Sequence, residues 1–158
     1  MKNISTASIG LRINPVVGGG SISAMSTATK LSKFGLPLME GTRERLVQVY
    51  VDNPWLNAIH IHVGSQGVPL DKFVSANKVL LDFIKDVEAR CGNQIKTVDI
   101  GGGMSTSYTE PEEPAGFTFQ NYRDYLNKEV KLIKENQTSV VCTSSNIRSQ
   151  SCSVENTR

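Results

Sequence analysis

The sequence predicts an α/β fold in which parallel strands alternate with helices, either an open sheet or part of a barrel, and three observations carry that expectation. Short apolar runs bounded by turn residues recur at Ser8–Ile13, Leu56–Val63 and Ile95–Ile100. Stretches between and after them place apolar residues at helical spacing, most clearly from Pro69 to Arg90. Strands separated by such helices pair in parallel through right-handed crossovers. The chain's 158 residues fall well short of the roughly 250 that a closed eight-stranded barrel takes.

The first strand, SIGLRI over Ser8–Ile13, ends at the turn signal Asn14-Pro15. Residues 14–39 are rich in Gly, Ser and Thr and read as one long loop. A loop of that length in a compact domain is usually functional or mobile rather than mere connection. A helix is expected over about Thr42–Val51, with Leu46, Val47 and Tyr50 at helical spacing and Asn53-Pro54 as its stop. In the second strand Ala58, His60 and His62 fall on one face and Ile59, Ile61 and Val63 on the other, before Gly64 ends it.

The helix opening at Pro69 carries Phe73, Ala76, Leu80, Leu81, Ile84 and Val87 on one stripe and reaches Gly92 as its C-terminal cap. The third strand runs straight into Gly101-Gly102-Gly103. A polar loop with Pro111 and Pro114 precedes a last helix over about Phe119–Glu135, with Tyr122, Leu126, Val130 and Ile133 on one face. Val140 and Val141 can begin a further strand, and the Ser-rich residues 143–158 are expected to be disordered, leaving residues 1–142 as the domain.

Composition narrows the function classes. The chain is 39% hydrophobic and 20% charged, with 13 Gly and 3 Cys. That excludes collagen-like, coiled-coil and disulfide-scaffold proteins. No apolar run approaches the roughly 20 residues that cross a bilayer. MKNISTASIG has neither a signal peptide's apolar region nor a transit peptide's Arg-rich pattern, so the cytoplasm is the default compartment. Cys91, Cys142 and Cys152 lack metal or redox spacing and read as free thiols. The +2 net charge comes from interspersed Lys, Arg, Asp and Glu, which favours small molecules or protein chains over nucleic acid as partners.

In parallel βα folds ligands bind beyond the C-terminal ends of the strands. Arg12, then His62 with Gly64 and Ser65, then Gly101, Gly102 and Gly103 all cluster there. Three residues without side chains let backbone N–H groups close on an anion such as a phosphate, and they equally suit a tight turn needing positive φ. A dinucleotide fingerprint fails at Thr106, where Gly or Ala is required. His60-x-His62 has the spacing of a metal pair, yet these are the only two histidines and a catalytic zinc normally takes three protein ligands. Ser65 lacks the G-x-S-x-G elbow of a hydrolase nucleophile. Lys30 and Lys33 read as solvated or salt-bridged rather than Schiff-base lysines, since nothing predicts a pocket that would lower their pKa.

Four motifs then occur in order: Leu11-Arg12-Ile13-Asn14-Pro15, Ala28-Thr29-Lys30-Leu31-Ser32-Lys33-Phe34-Gly35, His60-Ile61-His62-Val63-Gly64-Ser65-Gln66 and Asp99-Ile100-Gly101-Gly102-Gly103. Together, from about Ile9 to Ile133, they resemble the barrel domain of pyridoxal-phosphate-dependent decarboxylases of the alanine-racemase fold, the group of diaminopimelate, ornithine and arginine decarboxylases. The H-x-H-x-G-S-Q form is most similar to diaminopimelate decarboxylase, because ornithine decarboxylases usually keep only the second His. The resemblance implies a partial (β/α)8 barrel of TIM type, pyridoxal 5'-phosphate as cofactor, an amino-acid substrate and a homodimer. It implies that His62 stacks on the pyridine ring, Ser65 hydrogen-bonds the phosphate, and Gly101, Gly102 and Gly103 supply amides to it. Arg12 would line the same cavity, and Lys33-Phe34-Gly35 would lie in a loop near the dimer interface.

The resemblance also places the family's Schiff-base lysine on a strand upstream of these motifs, and its pyridine-nitrogen acid in a Glu-Pro-Gly-Arg segment where Val140-Val141-Cys142-Thr143-Ser144 stand here. The family's C-terminal β-domain has no counterpart in the sequence. The chain is therefore expected to be a fragment of a carbon-carbon lyase, inactive alone and with no catalytic residue of its own. Its parent would convert meso-diaminopimelate to lysine and CO2. The alternatives are an ornithine, lysine or arginine decarboxylase, a non-catalytic partner of such an enzyme, or a metal hydrolase using His60 and His62. Unpaired outer strands predict low solubility or self-association.

Overall fold

The computed structural model describes residues 7–18, 32–64, 68–102, 121, 124, 128 and 139–141. Five strands form one parallel sheet: β1 (Gly10–Asn14), β2 (Leu36–Pro37), β3 (Ala58–His60), β4 (Thr97–Asp99) and β5 (Ser139–Val141), in spatial order β2-β1-β3-β4-β5. Two helices, α1 (Glu40–Asp52) and α2 (Leu70–Cys91), make the crossovers between β2 and β3 and between β3 and β4.

Residues 14–39 are not one loop. Leu36 and Pro37 pair with Ile13 and Asn14 and add an outer strand. A two-residue strand has no periodicity of its own, and Pro at its second position suits a sheet edge. The strand expected at Val140 and Val141 is present, in register with Val98 and Asp99. Of the last expected helix, Asn121, Asp124 and Lys128 are described; they are helical and exposed, at positions compatible with a polar face. Its apolar face and residues 143–158 lie outside the described residues.

Helix α1 starts two residues before the expected Thr42. Thr42 Oγ1 accepts the Met39 N–H at 3.1 Å, and Glu40 occupies the positive end of the helix. It stops at Asn53, whose side-chain amide donates to Val49 O at 2.8 Å. Helix α2 starts after Pro69 and ends at Gly92, whose φ of +64° suits a residue without Cβ. Its buried side contains Phe73, Ala76, Leu80, Ile84 and Val87 as expected. It also contains Phe83 and Asn77, whereas Leu81 is only half-buried. Phe83 is buried because α1 covers it: its ring meets Tyr50 edge-on at 6.2 Å, and Arg43 lies over it. Asn77 is tolerated inside because its amide donates to Phe73 O at 2.9 Å.

The core lies between the helices and the apolar face of the sheet, where Ile13, Ile59, Ile61, Val63, Val98 and Ile100 are all at most 2% exposed. Gln94, which no periodicity singles out, ties the layers together. Its side-chain amide lies within 3.2 Å of the carbonyls of Tyr50, Asn53 and Leu56, joining the end of α1 to the approach into β4. None of the described helices is long and apolar enough to cross a membrane.

Candidate functional site

Alternation along each strand sends every second side chain to the face opposite the helices. Parallel register then lines those side chains up across strands. Arg12 pairs with His60 and His60 with Asp99, so a cation, an imidazole and a carboxylate form a row across the sheet. His62 continues from His60 beyond the end of β3, with the two rings stacked at 6.5 Å and 19° between planes. His60 Nδ1 lies 3.0 Å from Asp99 Oδ2, close enough for an ion pair but not aligned for a hydrogen bond.

After β4 the backbone turns through Gly101 at φ +70°. A Cβ there would stand 2.4 Å from Ile61 O and 3.0 Å from His62 Nδ1, so only glycine brings the two strand ends this close. Asp99 Oδ1 accepts the Gly101 N–H at 2.9 Å, and the Gly102 N–H donates to His62 Nδ1 at 3.4 Å. At the end of β1, Asn14 Oδ1 accepts the Val16 N–H at 3.0 Å, closing a turn in which Val16 takes a φ of +54°. Arg12 sits 4.9 Å from the ring centre of Phe34, and exposed Lys33 approaches the same ring at 5.2 Å.

These surroundings set protonation. Burial lowers the His62 pKa, and the charges of Arg12 and His60 lower it further against the opposing pull of Asp99. His62 is therefore a neutral aromatic ring at neutral pH, with Nδ1 accepting from Gly102. Burial also lowers the Arg12 pKa, though not enough to discharge a guanidinium.

Of the residues expected at the site, Arg12, His62, Gly101 and Gly102 are brought together at the ends of β1, β3 and β4. Ser65, Gly103 and Lys30 lie outside the described residues. Asp99 is the member that sequence reasoning did not single out. It stands in the quoted Asp99-Ile100-Gly101 motif, but only the register of β3 on β4 places it beside His60. Among the described residues, no group of three His, Cys, Asp or Glu side chains could hold a metal.

Comparison with known proteins decides the family. Residues 1–144 match the family model described as the pyridoxal-binding domain of pyridoxal-dependent decarboxylases. The chain belongs to this decarboxylase family. Its relatives include diaminopimelate decarboxylases of Pseudomonas fluorescens, 32% identical over 108 residues, and of Aquifex aeolicus, 30% identical over 141. These matches cover 68% and 85% of this chain, and 26% and 33% of the relatives. The chain thus spans about a quarter to a third of the length of the curated relatives it matches.

The decarboxylase domain also resembles solved structures. A Helicobacter pylori diaminopimelate decarboxylase complexed with L-lysine gives a TM-score of 0.67 at 22% identity, covering 87% of this chain and 33% of that one. A Paramecium bursaria Chlorella virus arginine decarboxylase gives 0.60 at 20% identity, with 87% and 34% covered. At these identities the likeness is one of fold: the five-stranded sheet and its helices are part of a decarboxylase TIM barrel.

The described residues fit pyridoxal phosphate by their chemistry. His62 offers a neutral, half-buried flat ring, Arg12 a nearby cation, and Gly101-Gly102 a backbone stripped of side chains at the strand ends. When bound, the cofactor would supply an electron sink at the site. The protein's part is to hold and orient it. His62 would lie against its ring, Arg12 would balance negative charge, and the glycine turn would let the backbone approach its phosphate.

Proposed function

We propose that this chain is the cofactor-binding part of a diaminopimelate decarboxylase, which removes the carboxylate from one end of meso-diaminopimelate to give lysine. The observation that carries the reading is His60-Ile61-His62-Val63-Gly64-Ser65-Gln66, with His60 at the end of β3 and His62 stacked on it just beyond. Relatives named diaminopimelate decarboxylase, 26–33% identical, support it. His62 faces the cofactor ring, Ser65 and the glycines after β4 hold its phosphate, and Arg12 lines the cavity. On this reading the protein works in the cytoplasm, as half of a homodimer, in lysine biosynthesis.

The 158-residue chain alone is proposed to be inactive. The family resemblance puts both the lysine that carries the cofactor and the acid for the pyridine nitrogen outside the four motifs carried here. The purified chain is expected to release no CO2 from diaminopimelate, lysine, ornithine or arginine when supplied with pyridoxal phosphate. Release from any of the four contradicts the inactivity. A longer protein containing this segment is expected to prefer meso-diaminopimelate. Preference for arginine or ornithine would instead mark the parent as an arginine or ornithine decarboxylase.

A further inference from the structure

The contacts around the end of β4 close on themselves. Asp99 Oδ1 accepts the Gly101 N–H at 2.9 Å; the next amide, Gly102 N–H, reaches His62 Nδ1 at 3.4 Å; His62 stacks on His60; and His60 Nδ1 returns to Asp99 Oδ2 at 3.0 Å. One carboxylate therefore touches both halves of the site, the turn on β4 and the imidazole pair on β3. Its side chain is only 25% exposed, and it sits at the last position of β4, where the strand itself fixes its direction.

We propose that Asp99 is a positioning residue of the cofactor site, whose Oδ1 sets the Gly101 turn that delivers the backbone to the cofactor's phosphate. The inference rests on the cofactor site lying at these strand ends. A left-handed turn costs even glycine conformational entropy, and an acceptor placed two residues before it makes that conformation the one with a satisfied amide. Because the Gly101 hydrogen is used by Asp99, Gly101 contributes shape rather than a donor. The position of the oxygen matters more than its charge. A neutral amide oxygen in the same place can accept the same N–H, whereas a longer carboxylate cannot keep its place.

The test uses 4-deoxypyridoxine 5'-phosphate and 4-deoxypyridoxine, which lack the aldehyde and so do not react with surface lysines. Their affinities for the wild-type chain, Asp99→Asn and Asp99→Glu are measured by calorimetry. The phosphate's contribution is the ratio of the two affinities. It is expected to stay within about threefold of wild type in Asp99→Asn and to fall about tenfold in Asp99→Glu, with the unphosphorylated ligand little changed in either. A fall in Asp99→Asn with retention in Asp99→Glu would show that charge, not placement, is what matters, and would overturn the proposal. So would equal ratios in all three proteins, or parallel losses for both ligands, the mark of a merely structural residue. If the wild-type chain binds neither ligand, the location of the cofactor site itself is wrong and this inference falls with it.

Discussion

The two faces of strand β3 carry the contrast on which this domain is built. On one, Ile59, Ile61 and Val63 are at most 1% exposed beneath the helices; on the other, Ala58, His60 and His62 stay half-buried. The apolar face is fixed by volume and area, and each side chain there is replaceable by another of similar shape. The polar face is fixed by partners: Arg12, His60 and Asp99 line up through register, and the Gly101 turn closes over His62. A substitution on the first face should cost stability, and one on the second should cost ligand recognition. A residue belonging to both, such as Gly101, should cost both.

The largest effect is expected on the helix side. Phe83→Ala empties a fully buried site between Tyr50 and Arg43 and should lower unfolding free energy by about 3–5 kcal/mol in urea titrations. A loss below about 1 kcal/mol would show that α1 and α2 do not pack as described. Gly101→Ala sharpens the comparison from the boundary. Its methyl meets Ile61 O and its φ is left-handed, so a loss of about 1–3 kcal/mol is expected together with weaker binding of the cofactor analogue. Unchanged stability would mean that the β3 and β4 ends are not in contact.

The smallest effect is a pH dependence on the polar face. The His62 pKa is lowered in the folded chain, so below the ordinary histidine value near 6.5 the unfolded chain binds the extra proton more readily. Stability contributed by neutral His62 is therefore complete above that value and declines as pH falls through the window beneath it. His62→Gln should lose less stability than wild type between about pH 7 and about pH 5. Equal losses would place His62 in an unperturbed environment.

Much of the helix-side architecture could be read from the chain because it depends on local spacing. The apolar stripe of α2, the buried Leu46, Val47 and Tyr50 of α1 and the two faces of β3 all follow from period. Phe83 escaped that reading because its burial depends on where α1 lies, and β2 because two residues carry no period. The placement of Arg12, His62, Gly101 and Gly102 at strand ends was legible from alternation and the strand boundaries. Asp99's role was not, since it arises from the register of one strand against another and from a backbone turn two residues further on. Gln94 is the same case in the framework: three carbonyls from separate stretches converge on one side chain.

The most direct test of the polar face as a cofactor site is amide and imidazole NMR of the isotopically labelled chain during titration with 4-deoxypyridoxine 5'-phosphate. The account predicts saturable shifts at His62, Gly101 and Gly102, with the α1–α2 contact around Phe83 unmoved. Saturable shifts centred on the helices, or none at the strand ends, would contradict it.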